Sequence, residues 1–422
     1  MNTETRNRAR LSAVFASLLL VLTSGARADF VTDWNVVMGD VVADLPNPAE
    51  MARTAAIMQV AVFEAVNSIV GDYEPYHYRI KVAPGSSAEA ATIAAAHAVL
   101  ARLHPEKAAQ IDAQREKSLD AIPEGSAKAG GIAAGIAAAE AILAQRAHDG
   151  FDTVVPYAPG MRPGDYVATP PDFTPAFMPG LGEIDTFVIR NGRQFRSAPP
   201  PELRSKEYAR DFEEVKRVGA VNSPERSEDL ALRARFYAVT DADRIYYPAA
   251  RQVALAQGKT LSENARLFAL LSIAIWDGIV ACFETKYHFA LWRPVAAIRA
   301  AQTDRNPKTL PDPNWEALVF TPPFPAYPSG HASFGGAARA VLEDEFGADG
   351  HDIKLMNPAM PGVVLHYTSF KQITDEVDAG RIYGGVHFRF DQEAGALLGK
   401  RVGEYVLRHA LRPACDHDTR GP

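Results

Sequence analysis

Apolar residues recur at helical spacing along most of the chain. Residues 51–70 (MARTAAIMQVAVFEAVNSIV) place them three and four positions apart, and residues 87–103 repeat the pattern in an alanine-rich stretch that Pro105 stops. A third such helix is predicted over 127–147, with Gly130-Gly131 near its start. Further helices are expected near 202–217, 227–239, 262–287, 332–346 and 390–411. Between the two groups, over 150–201, the periodicity fails. Pro156, Pro159, Pro163, Pro170, Pro171, Pro175 and Pro179 make this a long wrapping loop with at most short strands. Its aromatics (Phe151, Tyr157, Tyr166, Phe173, Phe177 and Phe187) predict that it packs onto the helices. The fold class is therefore all-α, as one integrated unit with an N-terminal helical half over 29–200 and a C-terminal one over 201–422.

Two apolar runs need separate treatment. Residues 11–22 (LSAVFASLLLVL) follow Arg6, Arg8 and Arg10 and precede Ala26-Arg27-Ala28. Positive start, apolar middle and small-x-small end make residues 1–28 a secretory signal peptide, cleaved before Asp29. The alternative, an uncleaved anchor, needs roughly 20 apolar residues to span a bilayer, and this run has 12. Export of this kind leads to a periplasm or to the outside of the cell. The second run, 267–283, holds Asp277 in its middle and is flanked by Glu263, Arg266 and Glu284, so it reads as a buried core helix. No integral membrane span is expected in the mature chain.

Composition narrows the choice of partner. The chain of 422 residues is 47% hydrophobic and 23% charged, enough for one large or two medium cores. Residues 1–28 hold four Arg and one Glu, so of the chain's 44 basic and 51 acidic residues the remainder keeps 40 and 50, a formal charge of −10. Such a surface repels nucleic acid and anionic lipid. Cys282 lies in an apolar helical run and Cys415 in a polar tail; one disulfide or two separate thiols both remain open.

Against that acidic background, three places in the last third of the chain concentrate cations and imidazoles. The first is Lys286-x6-Arg293-Pro294, whose two cations would share one face of a continuous helix, about 10 Å apart along its axis. Alone, they could equally be surface cations. The second is Pro328-Ser329-Gly330-His331, at the start of an expected helix. Unpaired amides, a hydroxyl and a residue without Cβ suit an anion there, although an ordinary N-cap serine has the same look. The third is Arg381-x5-His387-x3-Asp391. Asp391, four residues after His387, can accept a hydrogen bond from one ring nitrogen and leave the other free as nucleophile or metal ligand; a surface ion pair is the plain alternative. Asp277 is a candidate partner for one of the cations, or a satisfied buried carboxylate without a catalytic role.

Taken together and in this order, the three motifs resemble the signature of the type 2 phosphatidic acid phosphatase superfamily, which includes bacterial acid phosphatases and the vanadium-dependent haloperoxidases. Lys286-Tyr-His-Phe-Ala-Leu-Trp-Arg293-Pro294, Pro322-Pro-Phe324-Pro-Ala-Tyr-Pro328-Ser-Gly-His331 and Gly380-Arg-Ile-Tyr-Gly-Gly-Val-His387-Phe-Arg-Phe-Asp391 look most like the haloperoxidase branch. The motifs span 106 residues, and a weaker helical likeness runs over 51–411. The resemblance implies two packed four-helix-bundle-like halves with the site in the C-terminal one. It implies that His387 binds vanadium, or becomes phosphorylated in a phosphatase, with Asp391 steering its ring. His331 would be the general acid–base. Lys286, Arg293, Arg381, Ser329 and the Gly330 amide would hold the oxyanion, and Lys286 would also serve catalysis. Phe324 and Trp292 are candidates for the halide pocket. Gly380 stands where the family usually has Ser, which removes one hydroxyl.

The function so implied is a secreted haloperoxidase with vanadate as cofactor and hydrogen peroxide and halide as substrates. The same pocket would serve a secreted acid phosphatase acting on a phosphomonoester through a phosphohistidine, without a cofactor. A non-catalytic oxyanion-binding protein is a third reading, against which the oriented His387 counts. The oligomeric state is not legible.

Overall fold

The computed structural model describes residues 29–238 and 242–414; the expected signal peptide, residues 1–28, and Cys415 lie outside them. Five helices precede the Pro-rich segment: α1 (Phe30–Val42), α2 (Pro48–Val70), α3 (Ala88–Leu103), α4 (Ala108–Asp120) and α5 (Ser126–Arg146). After it come α6 (Lys206–Val218), α7 (Glu228–Ala238), α8 (Ala242–Gln257), α9 (Leu261–Phe289), α10 (Pro294–Arg299) and α11 (Gly330–Phe346). An antiparallel hairpin of β1 (Asp349–Met356) and β2 (Val364–Ser369) then leads to α12 (Phe370–Tyr383) and α13 (Arg389–His409).

The local signals are those that start and stop helices. Asn47 caps α2, accepting from the amides of Ala49 and Glu50, and Pro48 fills the first turn, where no donor is needed. Gly71, with φ 82, ends it. Thr260 and Glu263 form a reciprocal capping box at the start of α9.

α9 is the spine. From Leu267 to Lys286 every residue is buried except Ile279. The helix is long and apolar enough to cross a membrane, yet 94% of its most apolar window is covered by the rest of the chain. α2 packs on one side of it, with α3 and α5 behind, while α11 and α13 pack on the other. The larger of two apolar clusters therefore runs through both halves. Each fully buried Leu, Ile or Phe on α9 contributes about 1.5–3 kcal/mol relative to exposure.

α11 and α13 approach each other unusually closely, because α13 presents Gly395, Gly399 and Gly403 on one face. A Cβ on Gly399 would lie 1.9 Å from the carbonyl oxygen of Ser333, and one on Gly403 2.7 Å from that of Ala337. Spaced by four, these glycines form a flat strip along which the α11 backbone lies.

The Pro-rich segment wraps as expected. Its described structure is two short 3-10 turns (Leu181–Glu183 and Gly192–Phe195) and an isolated bridge between Asp165 and Leu291. Tyr166 and Phe187 are buried, whereas Phe173 points outward. Asp277 holds this segment in place. Its carboxylate accepts from the amides of Phe187 (2.7 Å), Val188 (2.8 Å) and Ile189 (3.0 Å). It therefore serves the wrapping loop, and the expected alternative of a partner to a site cation does not hold.

Several elements exceed the sequence reading: α1, α4, α8, α10, the hairpin and α12. The hairpin buries only two alternate side chains per strand, Ile353 and Leu355 against Leu365 and Tyr367, too short a run to stand out. α12 does carry a signal. Phe370, Ile373, Thr374 and Val377 fall at helical spacing, and all are buried.

Candidate active site

Five segments end at one place. α9 delivers Lys286 in its last turn and stops at Phe289, because Ala290 takes left-handed backbone at φ 46. Arg293 is extended and caps α10, with Pro294 as the first helical residue. Lys286 and Arg293 thus do not share one continuous helical face. They converge because both grip the same segment. Lys286 Nζ donates to the carbonyls of Pro325 (2.7 Å) and Ala326 (2.9 Å), and Arg293 Nε donates to that of Phe324 (2.6 Å). Both charges also lie over the Phe324 ring, 5.0 and 4.8 Å from its centroid.

That segment leads into α11. Ser329 is its N-cap and accepts from the Ala332 amide at 3.4 Å. The Ser329 amide donates to the Asp391 carbonyl (2.8 Å), so the starts of α11 and α13 are joined. Gly330 opens the helix, and nothing lies within 4 Å of where its Cβ would be. The backbone there is open to a ligand. His331 follows, half-buried, with its ring 5.0 Å from that of Phe334.

α12 supplies Arg381 from its last turn, with Nη1 donating to the Tyr237 carbonyl (3.3 Å). Gly385 turns the chain at φ 81, and His387 comes just before α13, whose N-cap is Phe388. Asp391 is the third residue of that helix. The His387–Asp391 pair is therefore a helix-entry contact rather than two rungs of one helix. Asp391 Oδ2 accepts from His387 Nδ1 (2.9 Å) and from the Phe388 amide (3.0 Å). Asp211 on α6, not singled out in the sequence, accepts from the Phe390 amide (3.0 Å) and fixes the same entry. Its signal was weak but present: it adjoins the buried stripe Tyr208, Phe212 and Val215 of α6.

The hydrogen bonds decide the tautomer of His387. Arg293 Nη1 lies 3.1 Å from His387 Nε2. Arginine offers only donors, so Nε2 must accept, and the ring proton sits on Nδ1 facing Asp391. Burial, and then the charges of Arg293, Lys286 and Arg381, hold this imidazole well below the usual histidine pKa. The ring is neutral, with its lone pair facing the cations.

Lys286, Arg293 and Arg381 are all buried. Burial drives Lys286 below the usual lysine range and Arg293 down to about 10, and it pushes Asp391 up. Among the described residues Lys286 and Arg293 donate only to neutral backbone carbonyls and to His387, and buried charge held without an anionic partner costs several kcal/mol per ion. Arg293 Nη2 is also buried with no hydrogen-bond partner among the described residues. Among the described residues no three His, Cys, Asp or Glu converge as they would around a metal cation. The donor set fits a multiply charged oxyanion that offers one further bond to an imidazole nitrogen, and vanadate meets that description.

The sequence-predicted residues do not all share this place. Phe324 forms a wall between the cations and an apolar cavity that reaches His331. Trp292 does not line that cavity. It is buried in a second apolar cluster with Tyr208, Phe212, Phe388 and Phe390, because the extended backbone at 291–293 turns it away. At Gly380 a Cβ would meet Ala234 Cα at 3.6 Å and Tyr237 at 3.8 Å, ordinary contacts, so space alone does not dictate glycine.

Residues 266–415 match the VCPO second helical-bundle domain. Vanadium chloroperoxidase of Curvularia inaequalis is 27% identical over 266 residues, 47% of this chain and 43% of that protein. A vanadium-dependent bromoperoxidase of Ascophyllum nodosum is 32% identical over 143 residues, 31% of this chain and 25% of that protein. The chain thus spans less than half the length of these relatives. The crystal structure of the first bacterial vanadium-dependent iodoperoxidase superposes with TM-score 0.76 at 24% identity, over 91% of this chain and 96% of that one. An apo-type bacterial vanadium-dependent chloroperoxidase gives 0.69 at 18%, over 87% and 96%. These two structures establish the shared fold.

Proposed function

We propose, from the match of residues 266–415 to the VCPO second helical-bundle domain and from the leader-like pattern of residues 1–28, that the chain is an exported vanadate-dependent haloperoxidase. It would convert hydrogen peroxide, halide and a proton to hypohalous acid and water. The observation that carries this reading is His387. Its proton is fixed on Nδ1 by Asp391, and its Nε2 lone pair faces Arg293 among buried cations. A site that only bound an anion would need the charges but not an oriented, neutral imidazole.

Each residue has a part that follows from its surroundings. His387 Nε2 would ligate vanadium, with Asp391 raising its basicity through the Nδ1 proton. Arg293, Arg381, Lys286, Ser329 and the Gly330 amide would hold the oxygens. Bound vanadate supplies Lewis acidity toward peroxide. Lys286 keeps the 325–326 carbonyls, and so the start of α11, in position. His331, half-buried beside Phe334, would give and take protons at the open side. Phe324 shields the cations from water on the cavity side, which strengthens their field. Export rests on the pattern of residues 1–28 alone.

The test uses the purified apo-protein, first with a chromogenic phosphomonoester and then with orthovanadate, peroxide and bromide. Vanadate-dependent bromination of a dye is the expected result. Phosphoester hydrolysis that vanadate inhibits, with no bromination, would make the chain a phosphatase. Neither reaction would leave an oxyanion-binding protein.

A further inference from the structure

The carbonyl that receives Arg381 belongs to Tyr237, the penultimate residue of α7. The hairpin holds this helix end from behind. Asn357, buried just after β1, donates its side-chain amide to the Phe236 carbonyl (2.9 Å). The Tyr237 ring is fully buried, and its hydroxyl lies 2.5 Å from that of Tyr367 on β2. Tyr367 in turn donates to Glu376 Oε1 on α12 (2.6 Å). A phenol has one proton, and that of Tyr367 goes to the carboxylate, so Tyr237 is the donor to Tyr367. Arg233 on α7 brings Nη1 to 2.5 Å from Glu376 Oε2 and closes the circuit between the two helices. Burial pushes both phenols above the usual tyrosine range, so both protons stay in place.

We propose that Tyr237, Tyr367 and Glu376 are positioning residues that set Arg381 against the oxyanion, with the hairpin as the brace behind them. The role rests on one part of the haloperoxidase reading, that Arg381 holds the oxyanion. Carbonyls at a helix C-terminus lack helical partners, so their direction depends on what fixes the last residues. Here the hydroxyl of Tyr237 is tied to β2 and, through Tyr367, to the helix that carries Arg381. Without the Tyr367 oxygen, the Tyr237 proton would be buried without an acceptor. The ring would have to move to find one, taking its carbonyl along. At 3.3 Å the bond from Arg381 is already at the long end for N–H···O, so a small retreat breaks it. The two helices are close enough for such a shift to be felt. A Cβ at Gly380, next to Arg381, would meet Ala234 Cα at 3.6 Å and Tyr237 at 3.8 Å. In a low-dielectric interior the linked bonds also strengthen one another, which stiffens the assembly.

Orthovanadate binding to the apo-protein, measured by calorimetry, reads the effect without turnover. Tyr367→Phe removes one oxygen and keeps the ring. It should weaken binding about three- to tenfold, within the range for coupling through a packed, hydrogen-bonded network. Tyr76→Phe is the control. It loses a hydroxyl bond of the same kind, to the Phe187 carbonyl (2.8 Å) in the N-terminal half, and should bind as the unaltered protein does. In an Arg381→Ala background the effect of Tyr367→Phe should vanish, because a positioning residue then has nothing to place. Melting of each variant reports whether it folds. Glu376→Gln keeps an oxygen for Tyr367 and should retain more affinity than Glu376→Leu, a second measurement should Tyr367→Phe fail to fold. Unchanged affinity in Tyr367→Phe, or an equal loss in Tyr76→Phe, would overturn the positioning role and leave the oxyanion site standing. So would an equal loss with and without Arg381, or equal affinity for the two Glu376 variants. Unaltered affinity in Arg381→Ala itself would instead remove Arg381 from the oxyanion site, and the proposal with it.

Discussion

A Cβ on Gly399 would lie 1.9 Å from the carbonyl oxygen of Ser333, so α13 has no room to carry any other residue at that point without leaving α11. The contact has a functional reach. Ser333 is one helical turn beyond Ser329, and the Ser329 amide is bonded to the Asp391 carbonyl at the start of α13. The glycine strip therefore sets how far the Ser329–His331 side of the site stands from the His387–Asp391 side.

Gly399→Ala should destabilise the fold by about 1–3 kcal/mol, the range for overpacked interiors, despite alanine's better helix propensity. Urea unfolding measures this. The same variant should bind orthovanadate more weakly than Ala396→Ser, an exchange of small residues on the same helix that leaves the strip intact. Equal stability and equal affinity for the two variants would show that the glycine contact does not position the site.

His387→Ala should lose stable vanadium incorporation, read as metal content after dialysis. Asp391→Asn should keep the shape but weaken the hold on the Nδ1 proton, and vanadate affinity should fall about 10–100-fold, the usual cost of removing such a supporting partner. Calorimetry with the apo-protein measures it without any turnover. Unchanged metal content in the alanine variant would remove His387 from the ligand role.

Lys286 gives a pH signature. Burial, with the neighbouring arginines, holds its ammonium below the ordinary lysine range. An oxyanion favours the charged form and so raises that pKa on binding. Binding should take up protons near neutral pH, and affinity should fall as pH rises through this range because the empty site loses its charge. Titration with inorganic phosphate in buffers of different ionisation enthalpy measures the uptake, which should shrink in Lys286→Met. Turnover in Lys286→Ala should drop more than vanadate occupancy.

Asp277 bears on stability. Burial raises its carboxyl to about 6 in the folded chain, above the roughly 3.9 expected when unfolded. The folded state thus holds the proton more tightly, so the stability this linkage contributes is fully present below about pH 4 and is lost as pH rises through about 6. Asp277→Ala should flatten that slope. It should also cost at least about 2 kcal/mol, because the amides of Phe187, Val188 and Ile189 lose their acceptor. Melting followed from pH 4 to pH 7 for both proteins tests the sign as well as the size.

Much of this molecule was legible before any coordinate. The core helix around Asp277, the amphipathic helices of the N-terminal half and the wrapping character of the Pro-rich segment all follow from spacing and composition. α12 carries the helical period too, at Phe370, Ile373 and Val377. Trp292 misled because a tryptophan beside a site arginine looks like a wall, and only the direction of an extended backbone decides which way it faces. Lys286 and Arg293 misled in geometry: seven residues apart reads as one helical face, until Ala290 takes a left-handed turn between them.

Local spacing and residue type fixed the helices, the caps at Asn47, Thr260 and Ser329, and the chemistry available at each motif, because these depend on neighbours within a few residues. The tertiary structure alone decided that Arg293 bonds to Nε2 of His387 and so places its proton, and that Asp277 holds a loop rather than a cation. It also opened an apolar cavity behind Phe324. Those outcomes come from groups roughly 30 to 280 residues apart packing in a low-dielectric interior, where one close contact determines which partner each buried polar atom can reach.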